Sequence, residues 1–363
     1  MKRLGKILLI ILTILLLLPV GLWLLIREKP RWDDQTGHKV EEKLIEEDKY
    51  TLVENIKWAA PKGFNLTMDI YTPNTSQETY PVIVIFHGGG WLINDKSIMN
   101  DASKYLVSTG KYVVCNVNYR LLRDLGNTVK MNEIVEDVFG SILWIKAHIA
   151  KYKGDSEKII LTGDSAGGHL AGMAAIQGWD LSSKGFPDGF NPSWLPENKT
   201  AEDIALENGL SVQAAMLSYG PFDMYKAVKG DSASGSGFEA SSNFFWYIGS
   251  SLPRGILGED INVKDHPDYY KKISPVYNYP DTSERKLPPM LFTAAELDPL
   301  VPPEGVKDFV QKLKDAGHQE IEYWEYARES HAFLDSGEAF EMRAIPALEL
   351  MVAFLDGIFY KNM

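Results

Sequence analysis

The sequence predicts an α/β domain, with a mostly parallel central sheet carrying helices on both faces, a cap or lid insertion, and an apolar helix ahead of it. Three observations carry that prediction. Short uninterrupted apolar runs (Val82-Ile83-Val84-Ile85-Phe86, Tyr112 to Val117, Ile159 to Leu161, Met290-Leu291-Phe292) suit strands buried on both faces. Helical spacing falls between them, with Val135, Val138, Ile142, Ile145 and Ile149 at steps of three and four. More than seventy residues separate the apolar run Val212 to Leu217 from the next at 290–294, far beyond an ordinary connection, which marks an insertion.

Taken in order, the chain begins with twenty uncharged residues, Ile7 to Ile26. At about 1.5 Å per residue a helix of that length spans about 30 Å, the hydrocarbon thickness of a bilayer. Pro19 and Gly21 are tolerated in such a helix. The core is long for a signal peptide, and Arg27-Glu28-Lys29-Pro30-Arg31-Trp32 offers no small-residue cleavage site. Residues 1–31 are therefore read as an uncleaved signal anchor, with a cleaved signal peptide as the alternative. The large domain that follows is expected on the extracytoplasmic side, with a cytoplasmic-facing domain as the alternative. Residues 32–50 are charge-rich and read as a solvated tether.

From residue 51 to 363 the pattern is that of one α/β domain. Leu66, Met68 and Ile70 alternate with polar residues, as in a half-buried antiparallel strand. Asn132 is a candidate cap for the helix over 132–149. Val306, Phe309, Val310 and Leu313 mark another helix, with Gly317 as its stop. The insertion covers about 222–285. It contains the small, polar run Gly230 to Gly237 and the aromatic Phe244-Phe245-Trp246-Tyr247, a composition that suits a lid over a site; a subdomain with its own small core is the alternative.

Composition narrows the function classes. The hydrophobic fraction of 45% and charged fraction of 24% are those of a globular protein. The single Cys115, inside an apolar run, excludes an internal disulfide and a cysteine-based zinc site, and reads as a small buried residue. Net charge is −12, from 37 basic and 49 acidic side chains. Residues 1–31 hold six of the basic residues and one acid, which leaves 31 against 48, or −17, for the remainder. That acidity argues against nucleic-acid binding.

The chemistry centres on Gly163-Asp164-Ser165-Ala166-Gly167-Gly168, between the run ending at Leu161 and a helix-like His169 to Ala175. Strand, Gly-bounded turn, Ser and helix is the context in which G-x-S-x-G presents a nucleophile. Acyl transfer by Ser165 needs a base, a group to orient it, and donors for an oxyanion. His331 follows the strand-like Ile321 to Tyr326 and is the candidate base. Asp298, past the strand that starts at Met290, is the candidate orienting acid, with Glu296 as its rival. The oxyanion donors are assigned to the amides of Gly89 and Gly90, in His87-Gly88-Gly89-Gly90-Trp91, and of Ala166, with Gly88 a further possibility. His87 reads as a loop-fixing residue, His169 as packing locally, and His318 as a solvated turn residue. His38, His148 and His266 receive no role. The Gly-Lys-Ser/Thr of a phosphate loop is absent after the three glycines.

These motifs, together with Asn118-Tyr119-Arg120-Leu121, Asp298-Pro299 and His331-Ala332-Phe333, resemble the hormone-sensitive-lipase-like branch of the α/β-hydrolases, which includes bacterial esterases. The likeness covers about residues 60–360. It implies an α/β-hydrolase fold, a triad of Ser165, Asp298 and His331, and hydrolysis of carboxylic esters. The chain departs from the family at Leu121-Leu122-Arg123-Asp124, where Leu-Ala-Pro-Glu is usual. The expected activity is hydrolysis of small or medium acyl esters through an acyl-enzyme, with no metal or other cofactor, a small-molecule ester as partner, and membrane contact through the N-terminal helix. The alternatives are a carbohydrate acetyl esterase, a serine peptidase, or an inactive hydrolase fold used as a binding module.

Overall fold

A computed structural model describes residues 32–182, 186, 189–229, 261 and 263–361. The expected anchor at 7–26 and most of the expected lid, including Gly230 to Gly237 and Phe244 to Tyr247, lie outside these residues. Among the described residues no helix is long and apolar enough to cross a membrane.

The strands are β1 (Trp32–Asp33), β2 (Gly37–His38), β3 (Lys43–Glu46), β4 (Tyr50–Ala59), β5 (Leu66–Pro73), β6 (Tyr80–Phe86), β7 (Val113–Val117), β8 (Gly154–Asp164), β9 (Ala214–Ser218), β10 (Met290–Ala295) and β11 (Ile321–Tyr326). Nine of them form one sheet in the order β11-β10-β9-β8-β6-β7-β5-β4-β3. The pairings from β11 across to β7 are parallel; β5, β4 and β3 continue the sheet antiparallel. The longer helices are α1 (Asn100–Ser108), α2 (Met131–His148), α3 (Ala166–Gln177), α4 (Pro303–Asp315) and α5 (Ile345–Phe359).

Strand alternation sorts the core into two layers. Val82, Val84 and Phe86 of β6 pack in the layer that holds Ile142 of α2, Leu170 of α3 and Phe309 of α4. Ile83 and Ile85 point to the other face, with Leu106 of α1 and Leu348 and Met351 of α5. Both faces of the central strands are thus dry, which is why these strands read as unbroken apolar runs. Helix α3 is buried along its whole length, so its Ala- and Gly-rich sequence shows no amphipathic stripe. At its N-terminus α2 is closed by Glu133, whose carboxylate accepts the Lys130 amide at 2.9 Å; Asn132 sits inside the helix rather than capping it. Gly317 follows α4 at φ +95°, the left-handed conformation expected of a helix stop.

Three expectations are corrected. Residues 32–50 are not simply a tether: β1 and β2 pair, and β3 adds an edge strand to the main sheet. Charge misled here because an edge strand with its side chains in water is charge-rich for the same reason a linker is. Strand β5 is buried on both faces, not one, since Thr67 and Asp69 are covered as well. Asp69 tolerates this because Lys96 pairs with it at 2.9 Å and the Asn55 amide donates to it at 2.8 Å. His318 is buried rather than solvated, and its Nε2–H donates to Pro280 O at 2.7 Å.

The insertion leaves after β9 and returns before β10. Its two stems are fastened to each other, with Ser274 Oγ accepting the Met224 amide at 2.8 Å and the Val276 amide donating to Phe222 O at 3.4 Å. The returning stem is also bonded to α3. Gln177 Nε2 donates to Lys272 O at 3.0 Å, and His169 Nε2–H to Ile273 O at 2.7 Å.

Candidate active site

Ser165 occupies the junction of β8 and α3 at φ +50°, ψ −117°, a strained conformation for a residue with a side chain. The turn closes because its neighbours are glycines. A Cβ on Gly167 would sit 1.9 Å from Phe86 O, and one on Gly163 would sit 2.5 Å from the Gly167 backbone. The Ser165 amide donates to Ser218 O at 3.0 Å, fixing the turn to the end of β9. Its hydroxyl is left at the carboxyl end of the sheet, only 9% exposed.

The structure brings Ser165, His331 and Asp298 into one line. Ser165 Oγ–H donates to His331 Nε2 at 2.8 Å, and His331 Nδ1–H donates to Asp298 Oδ2 at 2.6 Å. The second carboxylate oxygen of Asp298 accepts the amides of Leu300 and Val301, each at 2.9 Å, so the carboxylate is held from both sides. Glu296, the rival, is exposed and accepts the Arg328 amide at 2.7 Å. The His331 ring packs edge-on against Tyr219 at 4.9 Å, and Arg343 Nη2 donates to His331 O at 3.3 Å.

The loop after β6 is built for backbone exposure. Gly89 and Gly90 stand at φ +117° and +60°. Gly89 O accepts the amides of Leu92 and Ile93, both at 3.1 Å, which folds the loop back on itself. Among the described residues none accepts a hydrogen bond from the amides of Gly89, Gly90 or Ala166. Gly88 stands against the buried carboxyl of Asp164, where a Cβ would lie 2.3 Å from Asp164 Oδ2. His87 fixes the loop, as expected: its Nδ1–H donates to Gly88 O at 2.8 Å, and its ring stacks on Tyr119 at 4.3 Å. Burial pushes its pKa down to about 4, so it stays neutral beside the site. Tyr119 donates to His87 O at 2.6 Å, and its neighbour Arg120 makes two 2.8 Å bonds to buried Asp137 of α2.

Residues that the motif reading passed over are Tyr219, Ser218 and Asp335. The carboxyl of Asp335 lies beside that of Asp164, and burial raises the pKa of both. The available signal was an acid four residues beyond His331 in an otherwise apolar turn, Ala332-Phe333-Leu334. His169 packs not locally but on Ile273, 104 residues along the chain. Among the described residues no cluster of three or more His, Cys, Asp or Glu could hold a metal ion.

A mostly parallel sheet with helices on both faces, a Ser on the strained turn after β8, and an acid and a His on loops after later strands define the class: this is an α/β-hydrolase fold. A family model described as BD-FAE matches residues 68–313, and the chain belongs to that family. Among curated proteins it is similar to the esterase LipQ of Mycobacterium tuberculosis, at 27% identity over 284 residues, which is 78% of this chain and 56% of LipQ. The chain thus spans about half the length of the curated relatives it matches. The fold is shared with a thermophilic esterase from the Planctomycetes species Thermogutta terrifontis, at TM-score 0.60 and 22% identity, over 85% of this chain and 92% of that one. The same esterase phosphonylated by sarin aligns at TM-score 0.61 and 23% identity, over 85% and 95% of the two chains.

Proposed function

We propose that the protein is a serine carboxylic-ester hydrolase acting on small or medium acyl esters. The observation that carries this reading is the continuous hydrogen-bonded line from Ser165 Oγ through His331 to Asp298. In the proposed reaction Ser165 Oγ attacks the ester carbonyl while His331 Nε2 takes its proton. Asp298 accepts from Nδ1–H, which fixes the tautomer and stabilises the imidazolium that forms. The amides of Gly89, Gly90 and Ala166 receive the oxyanion, aided by the positive end of α3. His331 then protonates the departing alcohol, and the same machinery adds water to the acyl-enzyme. The sarin adduct of the Thermogutta esterase supports the choice of an organophosphorus probe for this chain. Wild-type protein is expected to label with a fluorophosphonate and to cleave p-nitrophenyl butyrate faster than the laurate. Ser165→Ala is expected to do neither while keeping its circular dichroism spectrum. Ester cleavage at the wild-type rate in that variant would remove the assignment.

We further propose that residues 7–26 anchor the chain in a membrane with the hydrolase domain outside the cytoplasm; the twenty uncharged residues support this. The full chain should stay with membranes through alkaline carbonate extraction, and a chain lacking residues 1–31 should not. Release of the full chain by carbonate would point instead to a cleaved signal peptide.

A further inference from the structure

Behind the proposed catalytic residues two carboxyl groups face each other. Asp164, the residue before the nucleophile, is buried, and Asp335, four residues after His331, is half-buried with its Oδ1 out of solvent. The pair joins three loops. Asp164 belongs to the nucleophile turn, Asp335 to the His331 loop, and the Asp164 carboxyl lies against Gly88 of the glycine loop. The contact with Gly88 is close, since a Cβ there would lie 2.3 Å from Asp164 Oδ2. Among the described residues, Asp164 Oδ1 and Asp335 Oδ1 are buried and meet no donor group. Two ionised carboxylates cannot satisfy each other and would repel; one proton between them turns one into the missing donor.

We propose that Asp335 is a positioning residue for the ester hydrolysis described above: it shares one proton with Asp164, and this bond holds the His331 loop in register with the nucleophile turn and the oxyanion loop. The inference rests on the proposed function. The groups that face the pair are Tyr119 and Tyr219 on the Asp164 side and His331 and Arg343 on the Asp335 side. Burial raises the Asp335 carboxyl to about 6 and the Asp164 carboxyl well above its ordinary range. The pair therefore passes from two protons to one near pH 6 and keeps the last to higher pH, where losing it places two anions in contact.

The test compares the full-length wild type with Asp335→Asn and Asp335→Ala. In Asp335→Asn the new amide beside an ionised Asp164 has the net charge of the singly protonated pair and still donates across it, but has no proton to lose. Asp335→Asn is expected to keep kcat at pH 7 within about threefold and to shift the alkaline fall in kcat upward by about one pH unit or more. Asp335→Ala is expected to lower kcat about tenfold or more with KM within about twofold, because substrate contacts are untouched. Wild-type kcat in Asp335→Ala, or an unmoved alkaline limb in Asp335→Asn, would overturn the proposal. Fluorophosphonate labelling of the wild type reports separately on the proposed function. If the wild type proved inert, the unfolding midpoint would still decide the shared proton, since the difference between wild type and Asp335→Asn should change with pH. A constant difference would overturn it.

Discussion

Ser165 stands at φ +50° with His331 and Asp298 in hydrogen-bonded line behind it. The two acids near the end of β10 differ in what they touch, and this gives a test at the scale of single residues. Asp298 is buried on His331 and two amides, whereas Glu296 faces solvent and the Arg328 amide. Asp298→Asn is expected to lower kcat by about four orders of magnitude, since an amide in that place favours the wrong imidazole tautomer. Glu296→Gln should leave kcat within about twofold. Parallel steady-state assays on a p-nitrophenyl ester separate the two, and equal losses would reassign the orienting acid. Ser165, Asp298 and His331 were legible because each carries its chemistry in its type and lies just past an apolar run. The Asp164–Asp335 contact was not, because nothing in either local sequence says that two like charges meet across 171 residues.

At the scale of elements, the junction of β8 with α3 depends on backbone contact that a single methyl group would spoil. Gly167→Ala places a carbon 1.9 Å from Phe86 O, so α3 must move away from β6. The variant is expected to lose about 3 kcal/mol of stability, at the upper end of ordinary overpacking penalties, together with most of its ester hydrolysis. Urea titration and an activity assay check both, and unaltered values would mean that α3 is free to shift. The parallel strands were readable because burial on both faces leaves uninterrupted apolar runs. Strand β4 was not read, because its register breaks between Val53 and Ile56, where Asn55 takes φ +59°, and again between Lys57 and Ala59. Two irregularities in ten residues erase the alternation on which a strand is recognised.

Over the whole molecule, buried titratable groups oppose one another. Burial pushes His38, His87 and His169 down to about 4, so their contribution to stability is present above about pH 6.5 and lost as pH falls toward 4. Burial raises Asp69, Asp164, Asp335 (to about 6) and Glu136 (to about 7). Their contribution is present below about pH 4 and lost as pH rises through those raised values. The two sets oppose each other between about pH 5 and 6.5, so the wild-type unfolding midpoint is expected to change less with pH there than either set alone would make it. Glu136→Gln removes one carboxyl from the balance. Relative to the wild type, its stability should fall by about 1 kcal/mol for each pH unit of acidification over that window. Calorimetry of both proteins at three pH values reads the difference in slope, and parallel profiles would mean that Glu136 gains no proton on folding.

The fastening of the insertion's stems has a consequence for protein engineering. Because Phe222 and Met224 are bonded to Val276 and Ser274, the excursion between them closes on its own base, and Gln177 and His169 hold that base to α3. The entropy of closing a flexible loop grows only logarithmically, about 0.6 kcal/mol for each doubling of length. Foreign segments of quite different length can therefore be grafted between those stems at small cost to the host sheet. The base acts as a cloning site at the level of the fold, one that accepts new segments while Ser165 stays where β8 leaves it.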